Sequence, residues 1–160
     1  MAWSASAIFR EWVAGPMLQS AGTSFTGLDS DTVKVSLHNN SITPDKDAAV
    51  GSTGFNTGQW STTNEVVDAT NWASGGRTLA SKTFTTPSTG VAMFDAADLA
   101  GGGPVTLANV YGCFVYDDTI TGGTVADQGV CYNYFGGSQS VTAGTFTIVF
   151  NSNGIARFTV

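Results

Sequence analysis

The sequence predicts a mainly β protein, an antiparallel β-sandwich or jelly-roll-like domain with a short N-terminal helix. Residues 110–150 hold three short β-rich runs separated by glycine-marked turns. Residues 32–37 alternate apolar and polar side chains, and near the start of the sequence the apolar residues recur at helical spacing instead. The chain therefore divides into an N-terminal helix or arm, residues 1–20, and a single β-sandwich domain, residues 21–160.

The helix is expected over residues 4–19, where Ile8, Phe9, Trp12 and Val13 fall on one side and Gly15 and Pro16 stop or kink it. Two uses fit it: a helix covering the core, or an arm docking on another subunit through Trp3, Phe9 and Trp12. Next comes the clearest half-buried strand, with Val33, Val35 and Leu37 inward and Thr32, Lys34 and Ser36 outward. A loop follows from His38, and the chain stays polar and aperiodic to Gly58. Thr62 and Glu65 have capping-box spacing, which predicts a short helical turn, and Gly75 and Gly76 mark a turn before a strand over residues 78–85. Trp60 and Trp72 flank this region, where they pack under an ordered loop, stack on a ligand or meet another protein.

Residues 91–95 read as a strand, and Gly101, Gly102, Gly103 and Pro104 as a flexible connection into a strand over residues 105–116. In the three-run stretch Val110, Phe114 and Tyr116 share a face, as do Val130, Tyr132 and Tyr134, then Phe146, Ile148 and Phe150. Asp117 and Asp118 with Gly122 and Gly123, and Gly136 and Gly137 with Gly144, supply turns that would fold consecutive runs back antiparallel. A turn at Asn151 to Gly154 leads to a last strand over residues 155–160.

Charged residues make up only 11% of the 160, against about 25% in ordinary domains, so the surface suits close, uncharged contacts. The net charge of −6, with no basic cluster, argues against nucleic acid as a partner. No apolar run approaches the roughly 20 residues of a membrane span, and no secretory signal is visible, because Arg10 and Glu11 interrupt the first apolar segment. Without export, the Asn39, Asn40, Ser41 triplet carries no glycosylation meaning. The two cysteines, Cys113 and Cys131, are either reduced, buried small hydrophobes or, if their strands are neighbours, a bridge.

Candidate chemistry is sparse. His38 is the single histidine and is expected to be solvent-exposed at a strand end, so it offers no triad. Two cysteines and that histidine lack zinc-ligand spacing, and no metal is expected. The acidic pairs Asp29/Asp31, Asp45/Asp47, Asp95/Asp98 and Asp117/Asp118 read as turn caps rather than calcium loops. No glycine pattern forms a nucleotide site. The reading is a non-enzyme with no cofactor.

A resemblance adds to this. The stretch from Val33 to Asp45, then Asn64-Glu65-Val66, residues 72–79, Val110-Tyr111-Gly112, Tyr116-Asp117-Asp118, Phe135-Gly136-Gly137 and residues 141–150 resemble a family of small structural proteins of tailed bacteriophages. The resemblance implies a virion component, assembled in the bacterial host cytoplasm. Size and composition favour a minor capsid or decoration protein that clusters symmetrically with copies of itself on the major capsid protein. Its expected contacts are Trp3, Ile8, Phe9 and Trp12. The alternatives are a tail or baseplate protein, or a carbohydrate-binding module with Trp60, Trp72, Tyr132 and Tyr134 as its platform.

Overall fold

A computed structural model describes residues 3–10, 12 and 25–159. Its strands are β1 (Ala7–Ile8), β2 (Val33–His38), β3 (Arg77–Thr78), β4 (Thr83–Ser88), β5 (Val91–Asp95), β6 (Leu99–Ala100), β7 (Val105–Asp117), β8 (Gln128–Gly144), β9 (Thr147–Ile148) and β10 (Ala156–Thr159). They form a five-stranded sheet in the order β1-β8-β7-β2-β3, a three-stranded sheet β10-β5-β4 and a small sheet β6-β9. Every pairing is antiparallel. The fold is mainly β and sandwich-like, as the patterning predicts.

The register sorts side chains of the large sheet onto two faces, because directly paired residues point the same way. Val33, Val35 and Leu37 of β2 lie opposite Asp117, Val115 and Cys113, and Val115 lies opposite Cys131 of β8. This aliphatic face is approached by the three-stranded sheet, where Phe94, Ile155 and Ala156 are buried and the Ile155 carbonyl sits 4.0 Å from Cys131 Sγ. On the other face Lys34, Ser36 and His38 lie opposite Tyr116, Phe114 and Gly112, and Phe114 lies opposite Tyr132. Among the described residues that side is covered by irregular chain. It is closed by the 3₁₀ turn Gly58–Trp60 and by Trp3 and Phe9.

Within the first part of the expected helix, residues 7 and 8 form a strand instead. Ala7–Ile8 pairs with Tyr132 and Cys131, and the Phe9 amide continues the ladder to the Val130 carbonyl at 3.1 Å. Arg10 and Trp12 do have helical backbone, but residues 11 and 13–19 of the expected helix lie outside the described residues. A bare edge of β8 outcompetes the helix here, because it satisfies backbone groups while Phe9 buries its ring.

Three further expectations change. The third β-rich run does not fold back on the second: β9 pairs with β6, and Gly136 and Gly137 fall inside β8 instead of ending it. At Thr62 the chain makes a single turn, the Glu65 amide donating to the Thr62 carbonyl at 3.3 Å, and does not go on into a helix. The Glu65 carboxylate accepts from Ser74 Oγ at 2.6 Å and the Gly75 amide at 2.9 Å, so it anchors the next turn rather than a cap. The strand expected over residues 78–85 is divided into β3 and β4, with Ser81 between them in a left-handed conformation (φ 53°).

Candidate functional site

The expected contact residues are drawn into the body of their own chain. Trp3, Phe9 and Trp12 are buried, and Ile8 is half-buried. The Trp3 amide donates to Asn40 Oδ1 at 3.3 Å and its Nε1 to the Asn39 carbonyl at 3.0 Å, while Phe9 packs edge-on against Trp60, Phe114 and Tyr132. These rings offer no surface to another protein in this conformation. The sugar platform fares no better. Trp60, Trp72 and Tyr132 are buried, and Trp72 meets Phe146 in a different part of the core from Trp60.

His38 is not the exposed residue the sequence predicts. It is fully buried, its Nε2 lies 2.9 Å from Ser36 Oγ, and its ring stands edge-on to Trp60 and Phe114. Burial pushes it down to about 3 against an ordinary 6.5, outweighing the upward pull of the Asn64 backbone, so it is neutral. The loop after β2 folds back over the outward face, which alternation alone assigns to solvent. Both thiols are free and buried, and burial pushes both upward, Cys113 to about 12. Neither is a ready nucleophile.

Several of the acidic pairs serve as caps. Asp45 Oδ1 accepts the Asp47 amide at 2.8 Å and Asp117 Oδ1 the Thr119 amide at 3.0 Å, whereas Asp98 Oδ1 accepts the distant Phe150 amide at 3.0 Å and so ties two segments together. What sequence reading missed is a pairing across two of them: Asp31 and Asp117 are both buried and face each other. The signal was present, since Asp31 continues the i, i+2 series of Val33 and Val35, and Asp117 that of Cys113 and Val115. Among the described residues no group of three His, Cys, Asp or Glu could hold a metal ion, and no helix is long and apolar enough to cross a membrane.

The exposed chemistry lies elsewhere, on β4. All six of its residues are exposed, Phe84 at 45%, and β4 ends the strand order of its sheet. It carries no charged side chain. Pro87 and a register shift between Thr85 and Ser88 interrupt its pairing with β5, which resumes at Ser88 opposite Val91. The arrangement can add backbone and apolar contacts to another protein surface.

No protein-family model matches the chain, and neither a curated protein nor a solved structure shows significant similarity to it.

Proposed function

We propose that this chain is a non-enzymatic structural protein of a tailed-phage virion, a minor capsid or decoration protein that binds the outer lattice of the major capsid protein. The observation that carries the contact surface is β4, six exposed residues without a charge at the rim of a sheet. The particle itself rests on the resemblance of residues 33–45, 72–79 and 141–150 to phage structural proteins. Each bound copy buries surface across the joint between neighbouring capsid subunits. Because it binds the assembled lattice and not the separated subunits, it raises the free energy of pulling them apart. With Trp3, Phe9 and Trp12 committed to the core, Phe84 and its neighbours on β4 take the contact role.

Quantitative mass spectrometry of purified virions, tailless heads and isolated tails tests this reading. The expected result is the chain on heads, at a copy number comparable to that of the lattice subunits. Presence on tails alone moves it to the tail or baseplate, and absence from all three fractions overturns a virion role.

A further inference from the structure

The contact between Asp31 and Asp117 joins two parts of the chain that meet at the end of the aliphatic face. Asp31 closes a tight loop of its own: Oδ2 accepts the Thr26 and Gly27 amides at 2.9 and 3.2 Å, the Thr26 hydroxyl donates to Oδ1, and the Asp31 amide donates to the Gly27 carbonyl at 2.8 Å. That carboxylate is fully supplied with donors. Asp117 is the reverse: Oδ1 accepts from Thr119, Oδ2 has no N–H or O–H donor, and the register that sets Val33 opposite Asp117 brings the Asp31 carboxyl into interaction with it. Two carboxylates cannot share a buried contact without a proton between them. Asp31 already has its donors, so the proton belongs on Asp117, which then donates to Asp31.

We propose that a single proton shared by Asp31 and Asp117 latches the 26–32 loop to the end of the large sheet, and that losing this proton releases the loop. The surroundings reinforce this. β2 brings Lys34, but its Nζ is held by Asp118 at 2.8 Å on the aromatic face. β8 brings the neutral Gln128 opposite Asp117, with Asp127 beside it interacting with Asp118 and Lys34. The loop itself brings only the exposed Asp29. Among the described residues no cation shifts the titration of either carboxyl. Burial and the Asp31 charge push Asp117 up to about 7, while the donors around Asp31 outweigh its burial and hold it low.

The latch governs more than the loop backbone. Leu28 on the loop and Phe25 just before it wall a mostly apolar cavity of about 510 Å³ with Trp12, Phe84, Ala92 and Phe158. Release would therefore loosen one wall of that cavity. At its far end the loop is tied to the sheet by the Thr32 amide to Thr119 Oγ1 and by the Asp118 amide to the Thr32 carbonyl, both 2.8 Å, so it would stay hinged at Thr32.

Hydrogen exchange of the intact chain, corrected for the intrinsic pH dependence of exchange, reads the latch directly. Protection of residues 26–31 is expected to fall about tenfold between about pH 6 and pH 8 while that of β5 and β10 holds, as one buried charge pair would require. Asp117→Asn, neutral at every pH and still a donor to Asp31, is expected to keep the loop protected throughout. A loop whose protection does not change in the unmodified protein, or that changes equally in Asp117→Asn, overturns the latch. Carboxyl carbon NMR of the unmodified protein supplies the second measurement should Asp117→Asn not fold. It is expected to show Asp117 titrating near neutrality with the same midpoint as the loop amides, and an Asp117 already ionised at about pH 5.5 overturns the proposal.

Discussion

The two faces of the five-stranded sheet are built on different terms. The aliphatic face uses small side chains, Val33, Val35, Leu37, Cys113, Val115 and Cys131, because a second sheet lies over it and packed sheets stand only about 10 Å apart. The aromatic face is covered, among the described residues, by irregular chain. There a few large rings span the distance to irregular chain, with Trp60 at 4.4 Å between centroids from Phe114 and also against Trp3, Phe9, Tyr132 and His38. Rings stack close to the sheet only where the sheet has no side chain. A Cβ on Gly112 would stand 2.7 Å from Trp3 Cζ3, and one on Gly129 2.5 Å from Phe114 Cε2. Regular covering permits many small contacts; irregular covering concentrates the packing in one residue.

That contrast predicts its own largest effect. Trp60→Ala should cost about 3–5 kcal/mol, read from urea denaturation, since it removes the ring that four aromatic neighbours and His38 share. Leu37→Ala, equally buried on the other face, should cost less because the sheet above can settle into the gap. If Leu37→Ala proves the costlier change, the packing is not concentrated as described. Trp60→Phe, which keeps part of the ring contact, should fall between Trp60→Ala and the unmodified protein.

Acid and base titrations distinguish the faces next. His38, on the aromatic face, is held near 3, so below 6.5 the unfolded chain binds a proton that the native chain refuses. Its contribution is therefore present above 6.5 and lost as pH falls toward 3, by up to ~5 kcal/mol. Asp117, at the end of the aliphatic face, is pushed up to about 7, first by burial and then by Asp31. It is protonated in the native chain where the unfolded chain has lost the proton, so its contribution is present below about 4 and lost as pH rises through about 7. The two slopes oppose each other between about pH 4 and 6.5. Asp117→Asn should uncover a rise of stability with pH across that window, and His38→Gln a fall. Variants that share one slope would show that the faces do not titrate independently.

The glycines come next in size. Gly112→Ala and Gly129→Ala should each cost about 1–3 kcal/mol, because the added methyl displaces a ring and also meets backbone oxygen, Asn133 O in one case and Thr53 O in the other, at 2.5 Å. Gly122→Ala, whose Cβ would meet nothing within 4 Å, should leave stability within about 0.5 kcal/mol. Thermal unfolding of the three variants side by side would measure this.

The same contrast explains what could be read in advance. β2, β5, β7 and β10 were legible because each shows alternation or an apolar run between turn residues, and the aliphatic face of β2 was read correctly from Val33, Val35 and Leu37. The aromatic face was not. Ser36 and His38 are polar, so alternation assigns them to solvent, while the residue that covers them, Trp60, sits in a stretch with no period at all. Ile8 and Phe9 misled differently: in so short a segment the helical and strand periods both fit, and only the free edge of β8 decides between them. Of the candidate site, the individual aspartates were visible, but the contact between Asp31 and Asp117 depends on the β2–β7 register, which local pattern does not contain.

Those two N-terminal neighbours give the smallest and most local test. Ile8 pairs with Cys131 on the aliphatic side and is half-buried at the sheet edge, whereas Phe9 turns its ring into the aromatic cluster and is fully buried. Ile8→Ala removes side-chain atoms that water already reaches, and the β1 backbone pairing is indifferent to it, so the expected cost is only about 1 kcal/mol. Phe9→Ala removes a ring in contact with Trp60, Phe114 and Tyr132, and belongs with Trp60→Ala in size. Urea titration of both variants measures the gap between adjacent residues. Near-equal costs would mean that β1 stabilises through its ladder alone, and the division of the sheet into a distributed face and a concentrated one would then not extend to its edge.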